Sequence, residues 1–121
     1  MAGPEQVVDQ LIEDLGVAGV AATKDPGVVR AIVGGNGYCV LIEPPDTTQM
    51  MHDGHTFGVD LDVRIVVKPP GGWADFGPAY AVLGAVHRVT GGVQSRREVY
   101  PSSEVNLPSI VVTATRTYTE E

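Results

Sequence analysis

A chain of 121 residues, 43% of them hydrophobic, can build one core and is read as one domain over residues 1–121; that composition excludes wholesale disorder. Fifteen Asp and Glu against eight Lys and Arg leave a formal net charge of −7. That is the wrong balance for gripping phosphate backbones, and the nearest basic cluster, Arg96-Arg97, is only a pair followed by Glu98. No apolar run approaches the roughly 20 residues that cross a bilayer, and the acidic start lacks a signal-peptide core. The expectation is a soluble protein inside a cell with no membrane partner.

The first element is a helix. Pro4 suits a first turn, Glu5 favours the positive helix end, and Val8, Leu11, Ile12 and Leu15 follow the spacing of one buried stripe before Gly16. Asp9, Glu13 and Asp14 line its solvated side. After a small-residue loop over 16–27, residues 28–33 read as a short β-branched strand, and Gly34-Gly35-Asn36-Gly37 as a hairpin turn. Residues 38–42 form an almost wholly apolar strand, covered on both faces and stopped by Glu43-Pro44-Pro45. Cys39 lies inside it and reads as a buried side chain, not a reactive thiol. Residues 46–56 are polar and irregular, which predicts a mobile loop.

The most regular pattern in the chain follows. In residues 57–68, FGVDLDVRIVVK, every odd position is apolar, and the even positions hold Gly58, Asp60, Asp62, Arg64 and Lys68, with Val66 the one break. Alternation of this kind defines a strand with one greasy and one charged face. At about 3.3 Å per residue it reaches roughly 40 Å, twice a common strand. A second helix opens near Trp73 and Phe76, with Pro78 in its first turn and Ala79, Val82, Leu83, Val86 and Val89 or Thr90 as its stripe. Gly91-Gly92 ends it. The two aromatics are read as fastening the helix start to the core. A polar edge strand over 93–100 precedes a closing strand over 109–119, with Ile110, Val112, Ala114 and Tyr118 on one face. The fold expected is α+β: a mainly antiparallel sheet of about four to five strands with two helices packed on one face.

Few residues are arranged for chemistry. His52 and His55 have a spacing that can bring two imidazoles to one metal, but no third ligand is near, and an exposed loop is the plainer reading. Asp60 and Asp62 stand about 6.5 to 7 Å apart on one strand face, a separation at which carboxylates act as acid and base. Arg64 and Lys68 continue the row, so a charged subunit or channel surface fits better. Gly34–Gly37 lacks the Lys-Ser/Thr ending of a phosphate loop. No catalytic residue, cofactor or metal site is assigned.

Taken together, several segments carry a resemblance. They are the helix ending in DLGV (14–17), the strand CVLIEPP (39–45), the polar loop before the long strand, the helix AYAVLGAVHRV (79–89) and the closing LPSIVVTATRTY (107–118). Together they cover nearly the whole chain, which resembles the tail terminator (minor tail protein U-like) family of long-tailed bacteriophages. The resemblance implies a non-enzymatic virion protein at the head-proximal end of the tail, assembled in the host cytoplasm. It would form a homo-oligomeric ring, typically hexameric, that caps the tail tube, meets the tail tube protein and head–tail connector proteins, and lets DNA pass without specific binding. Asp60, Asp62, Arg64, Lys68, His52 and His55 are then candidate subunit or channel contacts. Two alternatives stand beside it: a phage head–tail connector or tail completion protein, and a small ligand-binding or enzymatic α+β domain using the 46–56 loop.

Overall fold

The computed structural model describes residues 3–45, 47–101 and 106–119. Among them, three α-helices and six strands run in the order α1 (Pro4–Val17), β1 (Ala22–Thr23), α2 (Val29–Asn36), β2 (Tyr38–Ile42), β3 (Thr47–Met50), β4 (Thr56–Val67), α3 (Trp73–Thr90), β5 (Ser95–Pro101) and β6 (Asn106–Thr119). The sheet path is β1-β2-β4-β6-β5, with β3 also paired to β4. Only β1 and β2 are parallel, so the sheet is mixed and mostly antiparallel.

β4 is central. One of its edges pairs with β6 over eleven residues, from Thr56↔Thr119 to Val66↔Ser109. Its other edge is shared: β2 pairs with Val63–Val67 and β3 with Phe57–Asp60. Pro44 and Pro45, which lack N–H donors, fall in the gap between those two strands. Val59, Leu61, Val63, Ile65 and Val67 are all 1% exposed or less and face α1 and α3. Burying each stabilises the fold by about 1.5–3 kcal/mol. α1 contributes Val8, Leu11 and Leu15 to that core, and α3 contributes Phe76, Ala79 and Val86. The two expected helices thus lie on the expected face.

The third helix was not expected. Residues 28–33 do not form a strand; a short 3₁₀ turn at Pro26–Val28 leads into α2. Asp25 starts it by accepting a hydrogen bond from the Gly27 amide at 2.8 Å. Val29 and Val33 are buried one helical turn apart, with Ile32 beside them, against Cys39, Leu41, Val66 and Leu107 on the sheet face away from α1 and α3. A helical spacing of apolar residues therefore prevails over β-branched propensity, because burying that stripe outweighs a preference of tenths of a kcal/mol per residue. Gly34-Gly35-Asn36 is the last turn of this helix rather than a hairpin, and Gly37 caps it at φ +82° with its amide donating to the Val33 carbonyl at 2.8 Å.

Three further expectations change. Residues 47–50 are strand β3, so the 46–56 segment is not an irregular loop; its first residue, Asp46, lies outside the described residues. Pro78 sits in the second turn of α3, not the first. Of the two aromatics, Phe76 is buried as expected, but Trp73 is 86% exposed. The reading of β2 holds: all five of its residues are buried, Cys39 fully, and burial pushes its thiol up to about 11.

Gly37 is also held by space, since a Cβ there would lie 2.9 Å from the Pro78 ring, whereas one at Gly34 would meet nothing within 4 Å. Gly37→Ala is therefore expected to lower unfolding free energy by about 1–2 kcal/mol. Gly34→Ala, inside the exposed side of α2, should raise it by about 0.5–1 kcal/mol. Urea titrations of the two variants check the pair; equal effects would place this segment outside a capped helix.

Candidate functional site

The even positions of β4 do not form one continuous charged row. On the face away from α1 and α3, Asp60 lies opposite Thr115 and Asp62 opposite Thr113. The Thr115 hydroxyl donates to Asp60 Oδ1 at 2.9 Å. Asp60 and Asp62 are half-buried, while Thr113, Thr115 and Thr117 are exposed, so this end of the sheet presents an open carboxylate and hydroxyl surface.

Arg64, two residues further, is only 7% exposed. Its Nε donates to Glu43 Oε1 at 2.7 Å, its Nη1 donates to Ser109 Oγ at 3.1 Å, and Glu98 Oε1 lies 3.4 Å from Nη1. Its guanidinium carbon stands 5.7 Å from the centre of the Tyr100 ring. Glu98 is bound in turn by Arg96 at 2.6 Å. A charge row Glu43–Arg64–Glu98–Arg96 thus crosses the sheet from the end of β2 to β5. A buried guanidinium needs such partners, because removing it from water unpaired costs several kcal/mol. The row fixes which residues of β2, β4, β6 and β5 stand side by side. Arg64 is consequently not an exposed subunit or channel contact.

Lys68 lies past the end of β4, exposed, beside Arg30, Val33 and Gly34 of α2. The hydrophobic cluster under α2 includes Val66, which separates Lys68 from the aspartates. His52 and His55 are in the turn joining β3 to β4, both exposed. Asp53 organises that turn: its Oδ1 accepts from the amides of His55 (3.0 Å) and Thr56 (2.8 Å), and its Oδ2 accepts from the Thr56 hydroxyl at 2.5 Å. His55 Nε2 lies 3.7 Å from the same carboxylate. Among the described residues, no group of three or more His, Cys, Asp or Glu side chains gathers in a metal-holding arrangement.

Glu43, Glu98 and Ser109, the partners of Arg64, were not anticipated from the sequence. The signal was present in Val66, the single break in alternation, which marks where the charged face passes under a covering element. Arg116 was missed as well; from β6 it donates to the carbonyls of Thr90 (2.8 Å) and Val89 (2.6 Å), answering the unpaired negative end of α3. No protein-family model matches this chain, and no curated protein is significantly similar to it.

Two outcomes are expected. Arg64→Ala leaves Glu43 without its cation and Glu98 with Arg96 alone, and should destabilise the protein by about 1–3 kcal/mol. Arg64→Met, which removes the charge but fills the space, should cost clearly less; chemical denaturation of both variants separates charge compensation from packing. For the β3–β4 turn, hydrogen bonds from Thr56 and His55 hold the Asp53 carboxyl down to about 2. A depressed carboxylate contributes above its unfolded pKa and is lost as pH falls through its folded one. The amides of His55 and Thr56 should therefore stay protected from hydrogen exchange at pH 4 and lose protection toward pH 2. Asp53→Ala should abolish that protection at either pH.

Proposed function

We propose that this chain is a structural assembly protein of the phage tail terminator kind, forming a ring that caps a tail tube, ends its polymerisation and offers a docking surface for the head. The observation that carries the proposal is the extent of the β4–β6 ladder. Eleven registered pairs are more than one helical layer covers on both faces, and α2 screens only the half near Val66. The remaining half holds Asp60, Asp62, Thr113, Thr115 and Thr117 at an open surface. A sheet that outruns its covering helices is suited to building a larger object. An acidic, hydroxyl-rich surface on a chain of net charge −7 repels phosphate, so such a surface facing a channel lets DNA pass without holding it.

The pairing mechanism differs from the one the strand's length first suggests. β4 has partners along both edges, so it cannot itself add to a neighbour's sheet. Free strand edges belong to the outer strands of the path, β1 and β5, and to β3.

The test is tube capping. Purified protein added to polymerising tail-tube subunits should give shorter tubes with a ring-shaped density at one end by electron microscopy. Binding to head-side connectors with no effect on tube length would assign the chain to the connector or completion class instead. Tube lengths unchanged and no binding to either partner would sink the assembly reading.

A further inference from the structure

The eight cations of this chain serve fifteen carboxylates, and most are engaged within the fold. Lys24 fastens α1 through Glu5 and Asp9, Arg64 and Arg96 bind Glu43 and Glu98, and Arg116 caps α3. Arg30 has a partner too. Among the described residues, Lys68, Arg88 and Arg97 meet no carboxylate. Arg88 is in the last turn of α3, and Arg97 stands on β5 next to the start of that helix.

Exposed aromatic side chains stand beside Arg97. Trp73 is 86% exposed and Tyr80 42% exposed, with ring centres 6.0 Å apart. Together with Phe76 and Arg97 they line a cleft of about 320 Å³. Between Asp75 and Arg88, α3 carries no charged residue on any face, its exposed positions Gly77, Ala81 and Gly84 included. A solvent-facing helix surface ordinarily carries charges; a wholly apolar one is usually covered. Alongside runs β5, last on the sheet path, with Val99 60% exposed.

A surface of the opposite kind lies on α1. Glu13, Asp14 and Val17 are exposed together near its C-terminal end, and Val17 is 86% exposed. Neither carboxylate meets a cation among the described residues. Exposed Val17 with two acidic neighbours here answers exposed aromatic rings with a basic neighbour on α3 and β5. Two copies of net charge −7 repel each other unless cations of one meet carboxylates of the next, and Arg97 is one of three that meet no carboxylate among the described residues.

We infer that the Trp73–Tyr80–Arg97 surface of one copy docks on the Glu13–Asp14–Val17 end of α1 in a second copy of this chain. The inference rests on the assembly reading, in which the chain associates with itself. Because the two surfaces differ, the contact is head-to-tail, and any dimer still offers one free surface of each kind. Buried tryptophan, tyrosine and arginine supply most of the energy at such contacts, while the charges set orientation and encounter rate.

Two double variants test it by sedimentation velocity across a concentration series. One is Trp73→Ala with Arg97→Ala; the other is Glu13→Arg with Asp14→Arg. All four side chains are exposed, so circular dichroism and thermal unfolding should show both variants folded like the wild type. The wild type is expected to associate beyond dimers, more weakly as salt rises. Each variant alone should lose association by about 30-fold or more. Mixed together, they should form 1:1 dimers and nothing larger, since only one intact contact exists between them. Variants that associate like the wild type, a mixture that stays monomeric, or a wild type monomeric at all concentrations would each overturn the docking inference. If such variants associate and still cap tubes, the surface is wrong and the assembly reading stands; if the wild type associates through this contact yet never caps tubes, the reverse holds.

Discussion

The pairing of β4 with β6 is the constraint on which the remaining structure depends. Eleven residues in register commit both strands to strict alternation, and a slip of one position would exchange Val63 and Ile65 for Arg64 in the core. Once that register is set, each face has a separate task. The odd face of β4 accepts α1 and α3 over an unbroken apolar surface. The other face changes character along its length: apolar under α2, charged and buried at Arg64, polar and open from Asp62 onward. The two helices on one side and the single short helix on the other follow from that gradient.

The Glu43–Arg64–Glu98–Arg96 row marks the boundary between the covered and open halves. Its net contribution to stability is small by general experience, because desolvating a guanidinium offsets much of the attraction. What it adds is position. Arg64 reaches Glu43 just beyond β2 and Glu98 on β5, two residues that share no backbone pairing, and Ser109 between them completes the set. A shifted β5 would leave Arg64 buried with one carboxylate fewer, and that penalty selects a single arrangement of the outer strand.

Much of this was legible in the sequence, and the parts that were not have identifiable causes. α1, β4, α3 and β6 are long enough for several repeats of their period to accumulate, so their type and buried face could be read from spacing alone. α2 has only eight residues, and its Val and Ile content favours a strand by propensity; the i, i+3, i+4 spacing of Val29, Ile32 and Val33 was the better guide. β3 has four residues and no alternation to read, since its existence depends on the half of β4 left free beyond Ile42. At the candidate site, Asp60 and Asp62 were placed correctly on one open face. Arg64 was misplaced, because period-two patterning says which face a residue is on and nothing of what covers it. Val66 held that information.

Cations are the scarce component of this molecule, and their placement separates internal from external roles. Carboxylates outnumber them fifteen to eight, so a folded monomer could bind every Lys and Arg internally and still carry unpaired acid. Arg97 nevertheless points into a cleft with Trp73 and Tyr80, one residue away from Arg96, which is paired with Glu98. Neighbours on an edge strand face opposite sides of the sheet, so Arg96 serves the internal charge row while Arg97 faces outward beside exposed aromatics. An exposed tryptophan, and an arginine that meets no carboxylate among the described residues, on the last strand of the sheet path are costly features for a monomer to keep, through solubility and edge-to-edge association. They become useful once a second acidic copy covers them, and the same strand then orders the inside of one subunit and joins it to the next.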